Sequence, residues 1–134
     1  MANRTEVLIV VAVAIGSALG GVARYELSGV VDRSIGETFP WGTLVVNVTG
    51  SLLIGLFAAV TAPDGRVLVS PVTRQLWIPG IFGGFTTFSA FSLQTLSLAQ
   101  EGEWLRAGGN VVLTLALCLA GVWLGAALGA WVNR

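Results

Sequence analysis

The heptapeptide Gly83-Gly84-Phe85-Thr86-Thr87-Phe88-Ser89 stands at the centre of a hydrophobic stretch that runs roughly over residues 75–99. A stretch of that length can cross a bilayer, for which about 20 predominantly apolar residues suffice. Paired glycines followed by two β-branched threonines nevertheless make a poor helix centre. Two readings follow: a helix that unwinds near the bilayer midplane, or a continuous helix whose glycines serve a tight crossing. Unwound backbone persists at that depth only where protein or a wet cavity surrounds it. There, freed carbonyls suit a small cation, and the N-terminus of the second half-helix suits an anion.

Three further apolar stretches flank this one, giving expected spans at about residues 7–24, 41–62, 75–99 and 107–132. The first runs into Arg24-Tyr25-Glu26, where long side chains can snorkel to the interface. With Arg4 ahead of it and Ser17-Ala18-Leu19-Gly20 within it, this stretch could imitate a signal peptide. Its apolar pattern continues past Gly20, as a retained helix does. Asp32 to Glu37 reads as a polar loop ending at Pro40, Pro63-Asp64-Gly65-Arg66 as a turn, and Pro71 and Arg74 as part of a short linker. Gln100-Glu101-Gly102-Glu103 is the next interruption. Trp41, Trp104, Arg106, Trp131 and Arg134 fall where interfacial anchors are favoured. The expectation is an all-α membrane protein, one four-span domain over 1–134, with the third helix broken and both termini on one side.

Composition agrees, since 54% of the 134 residues are hydrophobic and 10% charged, against about 25% charged in soluble domains. Seven arginines balance seven acids, so neither nucleic acid nor a polybasic lipid anchor is indicated as a partner. The chain lacks His and Lys, which removes Ser-His-Asp triads, histidine-ligated metals and P-loop chemistry. Cys118 is the sole cysteine, so no intrachain disulfide forms. An enzyme is not expected.

Arginines near span ends set orientation. Arg4, Arg66, Arg74 and Arg134 fall on the terminal side, and Arg24, Arg33 and Arg106 on the other, a near balance of four against three. A chain with so weak a preference can insert both ways, and opposite insertions can pair about a two-fold axis in the membrane plane. The alternative is a small bias fixed by the first helix.

Glycines recur at one-face helical spacing in Gly16-xxx-Gly20, Gly80-xxx-Gly84 and Gly121-xxx-Gly125-xxx-Gly129, a pattern that lets helices approach closely within or between subunits. Two polar stripes share that kind of spacing. Thr43, Asn47 and Ser51 lie on one face of the second span, and Asn110, Thr114 and Cys118 on one face of the fourth. Asn47 lies about 9 Å inside Trp41, where an amide needs a partner or water. Each stripe alone fits interhelical glue, and two beside a broken helix also fit the lining of a pathway. Arg24 reads as a snorkelling anchor or as an anion-attracting charge. Phe85, Phe88 and Phe91 fall broadly on one side of the third span, with Ser89 and Ser92 beside them. They fit packing, or ring edges turned to a small anion. No expected span holds an Asp or Glu, which disfavours a proton-coupled carrier.

Gly20-Gly21-Val22-Ala23-Arg24-Tyr25, Trp41-Gly42-Thr43-Leu44-Val45-Val46-Asn47 and Gly83-Gly84-Phe85-Thr86-Thr87-Phe88-Ser89-Ala90-Phe91-Ser92 together resemble the Fluc/CrcB fluoride channels, in order and over essentially the whole chain. The resemblance implies an antiparallel, dual-topology homodimer in the cell inner (plasma) membrane, exporting fluoride passively and so protecting the cell from its toxicity. It implies a structural sodium ion on the backbone carbonyls of Gly83 and Thr86. It also implies two fluoride pores, formed by Asn47, Phe88, Phe91, Ser89, Ser92, Thr43, Asn110, Thr114 and Cys118, with Arg24 in a vestibule. Asn110 and Cys118 depart from the Ser, Thr or Tyr common in that family, and Gln94 stands where many members carry Glu. A small multidrug transporter would also have four spans but needs a buried carboxylate. An accessory membrane protein would account for the glycine faces and leave the polar stripes unexplained.

Overall fold

The computed structural model describes residues 3–134, all of whose regular structure is helical. Helix α1 spans Arg4–Ile35. Asn3 caps it by accepting from the Thr5 N–H, while Glu6 bonds back to the Asn3 N–H at 3.0 Å, which satisfies donors that a helix start leaves open. Helix α2 spans Trp41–Val60. The third span, Pro71–Gln100, is composite: α3 (Pro71–Gln75), a π-helical segment (Leu76–Phe82), α4 (Gly83–Phe85) and α5 (Phe88–Gln100). Helix α6 spans Trp104–Val132. Four helical spans are long and apolar enough to cross a membrane.

The structure corrects several sequence boundaries. Helix α1 continues eleven residues past Arg24, so Arg24 lies within a helix and not at its end, and Glu26, Asp32 and Arg33 are helical too. The extension is held against α2: the Asp32 carboxylate accepts the Gly42 N–H at 2.7 Å, and α2 has no side-chain cap of its own at Pro40. The third span begins at Pro71 with Ser70 as its cap, so Arg74 is helical and not in a linker. There it donates to the carbonyl and hydroxyl of Thr61, both at 2.8 Å, closing the end of α2. Of the seven arginines only Arg66 and Arg134 lie outside the helices, so the division of four against three is one of arginines near span ends and not in loops.

The glycine faces pack within the chain. A Cβ at Gly20 would collide with the Ile81 carbonyl of the π segment, and one at Gly125 with the Leu52 carbonyl of α2. Pro79 lies inside the π segment, where its ring and missing N–H disfavour regular α geometry. Phe57 of α2, Trp77 and Phe82 stack against each other with centroids 5.5 to 5.8 Å apart, seating that segment on α2.

Candidate functional site

The helix of the third span is interrupted at Thr86 and Thr87, both extended (φ −84°, ψ 158° and φ −151°, ψ 120°). A side chain at Gly50, the tenth of α2's twenty residues, would meet Thr86 and Phe85, so the interruption lies beside the middle of α2. Its backbone is patched by one amide. Asn47 Oδ1 accepts the Thr87 N–H at 2.7 Å, and Asn47 Nδ2 donates to the Thr87 carbonyl at 2.9 Å. Asn47 is 7% exposed. These bonds use one of its two N–H groups and one of its acceptor positions, leaving a donor over. Thr87 also caps α5, its hydroxyl accepting the Ala90 N–H at 3.1 Å and lying 3.2 Å from that of Ser89.

The carbonyls of Gly83 and Thr86 are among those that the break leaves without helical donors. In an unbroken helix Gly83 would accept from the Thr87 N–H and Thr86 from the Ala90 N–H. The first now goes to Asn47 and the second to the Thr87 hydroxyl. Hard, neutral oxygen donors at a helix break suit an alkali cation, so the residues fit the sodium site expected of Gly83 and Thr86.

Both polar stripes reach one cavity of about 270 Å³, lined by Asn47 and Ser51 of α2, Thr86, Thr87 and Phe88 of the broken span, and Thr114 and Cys118 of α6, with Ile54, Leu115 and Leu119 as its apolar wall. The remaining expected residues, Thr43, Ser89, Phe91, Ser92, Asn110 and Arg24, do not line it. Asn110, 2% exposed, accepts at Oδ1 from the Thr114 hydroxyl at 3.3 Å. Phe91 is buried, with its ring centroid 5.2 Å from that of Phe88, which is 72% exposed. Ser92 is turned to the Phe88 carbonyl at 2.9 Å. Thr43 is buried on α2 one turn above Asn47, outside the cavity wall. Arg24 is half-buried on α1 and forms no ion pair among the described residues. Phe85 does not continue the Phe88–Phe91 stripe, because the interruption separates them and Phe85 lies against Gly50.

Sequence reasoning missed Thr95. Its hydroxyl donates to the Phe91 carbonyl at 2.8 Å and accepts from Asn110 Nδ2 at 2.9 Å. The partner is fifteen residues away across the α5–α6 turn, a pairing that periodicity along one helix does not reveal. Gln94 lines a second cavity of about 480 Å³ at the end of the bundle, with Asp32, Glu37, Glu101 and Arg106. Its buried Oε1 has no hydrogen-bond partner among the described residues.

Residues 11–126 match the family model described as CrcB-like protein, Camphor Resistance (CrcB). "Fluoride-specific ion channel FluC" of Opitutus terrae is 62% identical over 113 residues, 84% of this chain and 86% of that protein. Proteins of the same name from Paramagnetospirillum magneticum and Rhodospirillum rubrum are 58% and 55% identical over 122 residues, 91% of this chain and 95% of each.

Proposed function

The chain belongs to the CrcB-like family, and on that premise we propose that it is a fluoride-specific ion channel, a multi-pass membrane protein and not an enzyme, through which fluoride leaves the cell passively. The observation that carries the reading is the convergence of two polar stripes and a broken helix on one cavity. Fluoride holds its water tightly, so a path must offer N–H, O–H and ring-edge contacts in place of that shell. The remaining Asn47 N–H, the hydroxyls of Ser51 and Thr114 and the Cys118 thiol supply a polar wall. Phe88 and Phe91 supply ring edges, with Ser89 and Ser92 beside them. Thr43 and Asn110 extend the two stripes, and Arg24 draws anions into a vestibule. In an acid-exposed cell HF enters neutral and dissociates. An inside-negative potential across the inner membrane then drives the anion out by about 2.3 kcal/mol per charge per 100 mV.

The working unit in this reading is an antiparallel homodimer with a structural sodium ion held by the Gly83 and Thr86 carbonyls of both copies. Support comes from the carbonyls that the break leaves without helical donors, Gly83 and Thr86 among them. It comes also from Phe88, which a second copy would cover while completing the wall of the pathway.

Purified protein in liposomes tests the channel. With the membrane potential clamped, a fluoride electrode should record rapid efflux while a chloride electrode records none. Equal chloride efflux, or no fluoride efflux from protein known to be inserted, would overturn the reading.

A further inference from the structure

We propose that Thr95 is a positioning residue for the anion path, acting through the Asn110 amide to decide whether Thr114 turns a proton or a lone pair toward the cavity. The inference rests on the fluoride-channel reading. Its basis is a chain of hydrogen bonds with one direction. Thr95 donates to the Phe91 carbonyl, Asn110 Nδ2 donates to Thr95, and Thr114 donates to Asn110 Oδ1. In that order the single hydroxyl proton of Thr114 points to Asn110, away from the cavity that Thr114 lines.

The opposite order uses the same atoms. Rotating the Asn110 amide by half a turn exchanges its oxygen and nitrogen, which are nearly equal in size. Oδ1 then lies against Thr95 and Nδ2 against Thr114. The Thr95 hydroxyl now donates to Oδ1, and the Phe91 carbonyl keeps its ordinary helical N–H. Thr114 accepts from Nδ2, and its own proton is released toward the cavity, where an anion binds it.

Both orders need a group at position 95 that donates in one and accepts in the other. Among side chains of this size only a hydroxyl does both. Asn110 is 2% exposed, so an amide left unpaired there by loss of the Thr95 hydroxyl is costly in either order. A passing fluoride therefore draws the chain into the donor order, and it relaxes behind the ion.

The test is fluoride efflux from liposomes by wild type, Thr95→Val, Thr95→Ser, Thr114→Val and the double valine variant, each confirmed by gel filtration to be assembled. Thr95→Val should lower maximal flux by about tenfold or more, while Thr95→Ser, which keeps the hydroxyl, stays within about twofold of wild type. The double variant should be no worse than the poorer single one, because residues acting as one unit are not additive. Thr95→Ala, read in the same way, replaces Thr95→Val if valine disturbs assembly. Wild-type flux in the variant lacking the hydroxyl, loss of flux in Thr95→Ser, or losses that multiply in the double variant would overturn the inference while wild type still conducts. Absence of fluoride flux in wild type would instead remove the channel reading itself.

Discussion

Asn47 binds both the N–H and the carbonyl of Thr87, so one side chain takes up the Thr87 N–H that the interruption frees and ties that peptide to α2. The same amide lines the cavity, so holding the break together does not exclude the pore role proposed for it. Asn47→Asp separates them from any neutral change. A carboxylate still accepts from the Thr87 N–H but confronts the Thr87 carbonyl with a second acceptor, and an unpaired buried group there costs about 1–3 kcal/mol. Its charge also repels a permeant anion. Fluoride flux in liposomes should fall by about tenfold or more even in assembled protein, in line with an insertion cost of about 2.5–3.5 kcal/mol for a mid-span charge; unchanged flux would confine Asn47 to glue. The phenylalanines are separable by electrostatics. Phe88→Ile and Phe91→Ile keep apolar bulk, a kind of swap that packing usually tolerates for less than about 1.5 kcal/mol, but remove the electropositive ring edge. Assembly should persist and flux collapse, with Phe85→Ile milder because Phe85 packs on Gly50 before the break. Conduction at the wild-type rate by both Ile variants would leave the anion to the polar stripes.

Among the elements, the interruption was legible because its cause is local: paired glycines and two threonines need no tertiary partner to weaken a helix. Its placement at Thr86 and Thr87 follows. The length of α1 was not legible, because hydropathy registers the end of the apolar run at Arg24, whereas the helix continues as far as its hydrogen bonds and its packing on α2 allow. The Asp32 to Gly42 bond that holds the extension joins residues on either side of the polar loop. The glycine faces were legible as faces, but their partners were not, since a small-residue stripe carries no address. In the fold Gly20 meets the π segment and Gly125 meets α2. A matched pair of variants tests this. Gly125→Ala forces a Cβ against the Leu52 carbonyl, an overpacking worth about 1–3 kcal/mol, so the thermal midpoint in detergent should fall. Gly108→Ala, on the same helix with nothing within 4 Å of the added carbon, gains helix propensity and should hold or raise it. Equal effects at the two sites would mean that α6 does not pack on α2 through Gly125.

At the scale of the whole molecule, the proposed pairing of two copies turns on the depth of the interruption. A pair related by an axis along the membrane normal can bring equivalent residues together at any depth. An axis in the membrane plane can do so only for residues at the middle of the bilayer, since it carries every other depth to its mirror level. The interruption lies beside the midpoint of α2, where Thr86 and Phe85 meet Gly50, a place compatible with an in-plane axis in the proposed dimer. The arginine division of four against three leaves only a small orientation bias for such a pair to overcome. Four spans put both termini of a copy on one side, so an antiparallel pair must show termini on both faces in equal amounts. Epitope tags on either end, probed in sealed vesicles with and without permeabilisation, should therefore be half accessible from each side in protein that conducts fluoride. A single orientation in conducting protein would exclude the in-plane axis and leave the two sets of carbonyls to meet, if at all, about an axis normal to the membrane.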